Sequence, residues 1–173
     1  MTPALDRLNA LPRQEAAERL RACCGSSRWV EAMLACRPFE SVDDLLAAAD
    51  EAWRATGPKD WDEAFAHHPR IGERQAAAPA SATAQAWSAG EQGSAAGAGA
   101  AARAELAEAN EAYERRFGRI YIVCATGRSA EEMLADIAVR MKNDPDRERA
   151  VAVEEQRKIT RLRLKTLIGA RES

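Results

Sequence analysis

The chain has 173 residues, 46% of them hydrophobic and 30% charged, with 25 basic against 27 acidic side chains and a formal net charge of -2. This length suits one domain with one sizeable core, and the near-neutral balance gives no electrostatic basis for binding nucleic acid or an anionic membrane. Charges interrupt every apolar stretch well short of the ~20 residues that a membrane span needs.

The first residues, MTPALDRLNALPRQEAAERL, contain no apolar signal-peptide core. Cys23, Cys24, Cys36 and Cys124 form no C-x-x-C pair. Reduced thiols and a cytoplasmic setting are therefore expected.

Helix signals follow one another along the chain. LPRQEAAERLRACC places Pro12 and Glu15 near a first turn, with Gly25 as a stop. SSRWVEAMLAC spaces Trp29, Val30, Met33 and Leu34 as one helical face and ends before Pro38. SVDDLLAAADEAWRATGP opens at an N-cap serine, Ser41, and stops at Gly57-Pro58. DWDEAFAHH is a shorter helix that Pro69 terminates.

PRIGERQAAAPASATAQAWSAG, from Pro69 to Gly90, reads as a long central loop with at most a short helical turn. A helix is expected from about Ser88 to Phe117, with Gly118 able to end it. Its glycines 93, 97 and 99 each cost roughly 1 kcal/mol against alanine, which makes sense if a backbone or ligand approaches closely.

RIYIVCA, Arg119 to Ala125, is the one β-like run and has no second strand to pair with, so an extended connector is expected. SAEEMLADIAVRMKND carries Ser129 and Glu132 at capping-box spacing and stops before Pro145. The last helix, PDRERAVAVEEQRKITRLRLKTLIGA, is expected to bury Val151, Ala152, Ile159, Leu162 and Leu167.

Both histidines lie at one corner, in AFAHHPRIGE. Imidazole exchanges protons near neutrality, and Pro69 restricts His68 to extended geometry, which turns its ring away from the preceding helical face. That suits a ring aimed into a cleft, although a helix-end histidine complementing the macrodipole is the commoner use of such a position. A metal site is disfavoured, because zinc wants three or four ligands and no E-x-x-H or H-x-x-x-H is present.

Ser88 and Glu91 have the S-x-x-E spacing of a capping box, and the same helix start could present N–H groups to an anion. Arg163 stands four residues after Ile159, where its guanidinium either snorkels to solvent or grips a carboxylate through two parallel bonds.

HHPRIGE, SAGEQ, YERRFGRIYIVCATGRS and KITRLRL occur in the order and spacing of a known family. From Phe39 to Leu164 the chain resembles the OHCU (2-oxo-4-hydroxy-4-carboxy-5-ureidoimidazoline) decarboxylases of uric acid degradation. The resemblance implies an all-α, single-domain helical bundle over residues 1–173, with no metal or organic cofactor, commonly a homodimer.

It implies decarboxylation of OHCU to (S)-allantoin, with His68, not His67, as the catalytic histidine and Glu91 and Arg163 beside it. It implies substrate contacts at Pro69, at Ser88, Ala89, Gly90, Glu91 and Gln92, and at Arg119, Ile120, Tyr121, Ile122 and Val123. One departure stands out: many members have F-G-F-P-F-V where this chain has F-G-R-I-Y-I-V. The rival readings are a cofactor-free hydrolase or isomerase of a related ureido compound, and a non-enzymatic helical interaction module.

Overall fold

The computed structural model describes residues 3–71, 83, 86, 87, 90 and 99–169. Among them all regular secondary structure is helical: α1 (Pro3–Ala10), α2 (Arg13–Cys23), α3 (Ser27–Ala35), α4 (Val42–Arg54), α5 (Pro58–Ala66), α6 (Ala100–Phe117), α7 (Ala130–Arg140) and α8 (Pro145–Leu167). The chain forms two compact units, Met1–Ala64 with Arg157–Ser173, and Phe65–Gln156.

In the first unit, α2 packs on α3 and α3 on α4. The α3 face read from spacing is buried at Trp29, Val30, Met33 and Leu34. Its start is fixed by Ser26, whose hydroxyl accepts from the Trp29 N–H at 3.2 Å. Ser41 caps α4 in the same way, accepting from Asp44 N–H at 3.0 Å. The Trp29 indole N–H donates to the Ala49 carbonyl at 3.0 Å and ties α3 to α4. Two details differ from the sequence reading. Residues 3–10 form a helix that was not expected, and Pro58 starts α5 instead of merely stopping α4. Proline suits a first helical turn because its missing N–H would have no partner there.

In the second unit, α6 packs on α7. Ile71, Leu106, Tyr113, Tyr121, Val123, Ala125, Met133 and Ile137 form its apolar cluster. Gly118 ends α6 at φ 69°, a left-handed position that favours glycine, and its N–H donates to the Glu114 carbonyl at 2.8 Å. The Ser129–Glu132 capping box is present at the start of α7. Residues 120–125 have neither helix nor strand, as expected of a connector. Thr83, Ala86, Trp87 and Gly90 have helical backbone. The rest of the long loop, the Ser88–Glu91 capping box, and Gly93 and Gly97 fall outside the described residues.

The buried face of α8 corrects the expectation most. Ala152 and Ile159 are buried, but Val151, Leu162 and Leu167 are only half-buried. The buried stripe instead includes Glu155, Gln156, Thr160, Arg163 and Leu164. An apolar pattern search passes over such a face because its inward residues are largely polar.

Candidate active site

α5 ends at Ala66, and the chain turns through His67 and His68, both half-buried. The His68 N–H donates to the Phe65 carbonyl at 3.1 Å, closing the last turn before Pro69. The His68 ring meets α8: Nε2 lies 2.7 Å from Gln156 Oε1, and Gln156 is fully buried. The residues after Pro69 are held by α6. Arg70 presents Nε and Nη2 side-on to the two Glu114 carboxylate oxygens, at 2.7 and 2.9 Å. The Asn110 amide donates to the Ile71 carbonyl at 3.2 Å. The histidine corner is thus fixed from both sides by directional bonds.

The connector after Gly118 is held as firmly. Arg140 Nη1 donates to the Ile122 carbonyl at 2.8 Å, and its guanidinium lies 4.7 Å from the Tyr121 ring centroid. The Tyr121 hydroxyl donates to Asp136. Glu155 accepts from the Cys124 N–H at 2.8 Å. Behind Arg140 sits Glu148, which is completely buried. It accepts from Arg140 Nε at 2.8 Å, from the Tyr113 hydroxyl, and from the Asn143 amide at 2.8 Å. Burial alone would lower the Arg140 pKa, but the bond to Glu148 and nearby negative charge outweigh it and hold the proton more firmly. Burial raises the pKa of both tyrosines, reinforced by the hydrogen bonds to Glu148 and Asp136.

Arg119 differs from these satisfied groups. Nη1 reaches the Phe117 carbonyl at 3.4 Å, and the guanidinium lies 5.8 Å from the Phe117 ring centroid. Among the described residues its Nε and Nη2 are buried without a hydrogen-bond partner. These two atoms form the same edge that Arg70 uses to grip Glu114. A carboxylate or a urea-type carbonyl is the chemistry that such a fork accepts.

The sequence model of the OHCU decarboxylase family matches residues 9–165. The chain belongs to the OHCU decarboxylase family. It is 39% identical over 150 residues to the uric acid degradation bifunctional protein TTL of Arabidopsis thaliana, covering 86% of this chain and 46% of that one. It therefore spans about half the length of that relative. It is 35% identical over 132 residues to the 2-oxo-4-hydroxy-4-carboxy-5-ureidoimidazoline decarboxylase of Amia calva, covering 76% and 75% of the two chains. A crystal structure of OHCU decarboxylase in the presence of (S)-allantoin is similar with a TM-score of 0.75 at 36% identity, over 88% of this chain and 98% of that one.

Of the residues that resemblance to OHCU decarboxylases singled out, His68, Pro69 and Arg119–Val123 belong to the second unit. The His68 ring and the backbone just after Val123 are held by consecutive residues of α8, Gln156 and Glu155. Tyr121, Ile122 and Val123 are buried, while Arg119 and Ile120 are half-buried. Gly90 is exposed; Ser88, Ala89, Glu91 and Gln92 lie outside the described residues.

Arg163 belongs to the first unit. It is 3% exposed, so it does not snorkel, and its Nη1 donates to the Ala22 carbonyl at 3.3 Å. Near it, burial pushes the Cys24 thiol up to about 11, against weaker opposition from its hydrogen bonds and the Arg163 charge. Cys24 is therefore a protonated thiol near neutrality, not a nucleophile. Among the described residues no three His, Cys, Asp or Glu side chains gather as a metal site requires. Among the described residues no helix is long and apolar enough to cross a membrane.

Sequence reasoning missed Gln156, Glu155, Arg140 and Glu148. For Gln156 the available signal was helical spacing: Ala152, Gln156, Ile159 and Arg163 recur at three and four residues on one face.

Proposed function

We propose that this chain decarboxylates 2-oxo-4-hydroxy-4-carboxy-5-ureidoimidazoline to (S)-allantoin in urate degradation. The observation that carries the reading is the His68 corner: an imidazole turned out of α5 by Pro69 and held by a hydrogen bond to a buried amide of α8.

The reaction breaks the C–C bond to the carboxylate, which leaves as carbon dioxide. The electron pair forms a C=C bond to the former imine carbon as the ring nitrogen takes up a proton. The hydroxyl on the carbon that lost carbon dioxide then gives up its proton to become the ring carbonyl, and the former imine carbon takes up a proton on one face. His68 exchanges that proton, because imidazole both gives and takes protons near neutral pH. Arg163 and the N–H groups of residues 88–92 hold the carboxylate and ureido oxygens, and Glu91 orients His68 or the substrate hydroxyl. Pro69 and the segment Arg119–Val123 line the substrate, with the Arg119 fork added to the backbone contacts that the resemblance implies.

A single domain over residues 1–173 belongs to this reading, supported by a family match over residues 9–165. A homodimer and a cytoplasmic setting complete it. The latter is supported by four cysteines that are thiols, not disulfides.

The test couples the protein to urate oxidase and hydroxyisourate hydrolase and follows the product by circular dichroism. Optically active allantoin should appear faster than in the uncatalysed decay. An unchanged time course would defeat the proposal.

A further inference from the structure

We infer that Gln156 is a positioning residue that fixes the tautomer of His68 and so selects Nδ1 as its proton-exchanging atom. The inference rests on the reading of His68 as the proton carrier and adds which nitrogen does the work.

A neutral imidazole has one N–H and one lone pair, and the partner of one nitrogen decides the character of the other. The partner of Nε2 is an amide oxygen, Gln156 Oε1, at 2.7 Å. A carbonyl oxygen accepts and cannot donate, so Nε2 must carry the hydrogen. The lone pair of the neutral ring is then on Nδ1. When the ring is protonated, Nε2–H stays on Gln156, and the added proton is the one on Nδ1. In both states the transferable position is the same atom.

Burial makes this selection strong. Gln156 is fully buried, so water does not compete for its oxygen, and a polar bond in such surroundings is expensive to leave unmade. Rotating the ring or moving the hydrogen to Nδ1 would set the Nε2 lone pair against the Oε1 lone pairs. The positions are well supported on each side. α8 also fixes the connector through Glu155, next to Gln156, while Arg70 and Ile71 tie the corner to α6. The ring therefore has one preferred tautomer and one preferred orientation before any substrate arrives, which is what proton transfer at a single carbon face requires.

Three roles are consistent with the placement of Gln156 on α8: fixing the ring, filling space, and contacting substrate. They differ in what they move. The chain has only two histidines, so long-range ¹H–¹⁵N correlation spectra of the imidazoles are simple to assign with a His67→Asn variant. In the unsubstituted protein above the pKa of His68, the spectrum should show the Nε2–H form. Gln156→Leu, which keeps the bulk and removes the acceptor, should give a mixture of tautomers. It should lower kcat by roughly 10- to 100-fold, the range found for outer partners that orient metal-bound imidazoles, and leave KM nearly unchanged. Gln156→Glu, which restores an acceptor oxygen, should recover the Nε2–H form and most of the turnover.

An Nδ1–H spectrum in the unsubstituted protein would overturn the assignment without any variant, so it does not depend on Gln156→Leu folding. A loss confined to KM would make Gln156 a substrate contact instead, and unchanged kcat in a folded Gln156→Leu would remove it from the mechanism. The spectra read the pin whether or not OHCU is the substrate, which keeps a failure here distinct from a failure of the functional reading.

Discussion

Replacing Arg140 with methionine is the sharpest test of how the connector is held. Arg140 is 3% exposed and Glu148 is 0% exposed. The substitution removes the Nε bond to Glu148 at 2.8 Å, the Nη2 contact at 2.7 Å and the Nη1 bond to the Ile122 carbonyl at 2.8 Å. Breaking one side of a buried ion pair costs about 3–5 kcal/mol, because the remaining charge is left in a poor solvent for it. An orphaned buried carbonyl adds about 1–3 kcal/mol. Tyr113 and Asn143 still donate to Glu148, and the carboxyl can take up a proton, which together hold the expected loss near ~4 kcal/mol. Set against a typical total of about 5–15 kcal/mol, that is a large fraction of the stability.

Equilibrium urea unfolding followed by far-UV circular dichroism measures it. The double substitution Arg140→Met with Glu148→Leu removes both charges, so it should be less destabilised than Arg140→Met alone. A loss below about 1 kcal/mol in Arg140→Met, or a double variant whose loss equals the sum of its singles, would refute the reasoning, since partners in one network must couple.

Three further outcomes are expected. His68→Ala should lose on the order of 10²–10⁴ in turnover, whereas His67→Ala should be far milder; equal losses would undo the choice between the rings. Arg119→Met should raise KM by roughly 10-fold or more and weaken allantoin binding, as expected for one lost charge-assisted contact, and Arg119→Lys should not restore it, because an ammonium lacks the planar fork. Titration calorimetry with allantoin checks this, and unchanged affinity in Arg119→Met would exclude the fork from the site.

The third concerns pH. Tyr113 and Tyr121 are the only tyrosines, and burial followed by hydrogen bonding to acidic partners raises both above the ordinary value of 10.0. The folded state thus binds these protons more tightly than the unfolded one. The stability they contribute is complete below about pH 10 and is lost as pH rises beyond it. Tyrosinate absorbance should therefore appear only together with loss of helical circular dichroism. A phenolate signal near pH 10 in the still-folded protein would contradict the buried network.

Local chemistry made much of this molecule legible in advance. Ser41 and Ser129 announce helix starts because their hydroxyls satisfy N–H groups a turn away, and Gly118 announces an end because it takes the left-handed backbone without strain. Pro69 singles out His68 by the same kind of short-range argument. α1 was missed because it is a short helix whose buried positions, Leu5 and Leu8, are too few to show a period.

The sequence by itself determined the helical architecture, the family and the corner at which His68 stands. Each follows from interactions within a few residues or from motifs read in order. Only the tertiary structure decided what faces that histidine and what holds the connector. Gln156 is 88 residues from His68, Arg140 is 18 from Ile122, and Glu155 is 31 from Cys124. Such pairings are set by how helices pack and not by local propensity. Their members look like ordinary surface polar residues until burial removes water and makes each hydrogen bond obligatory.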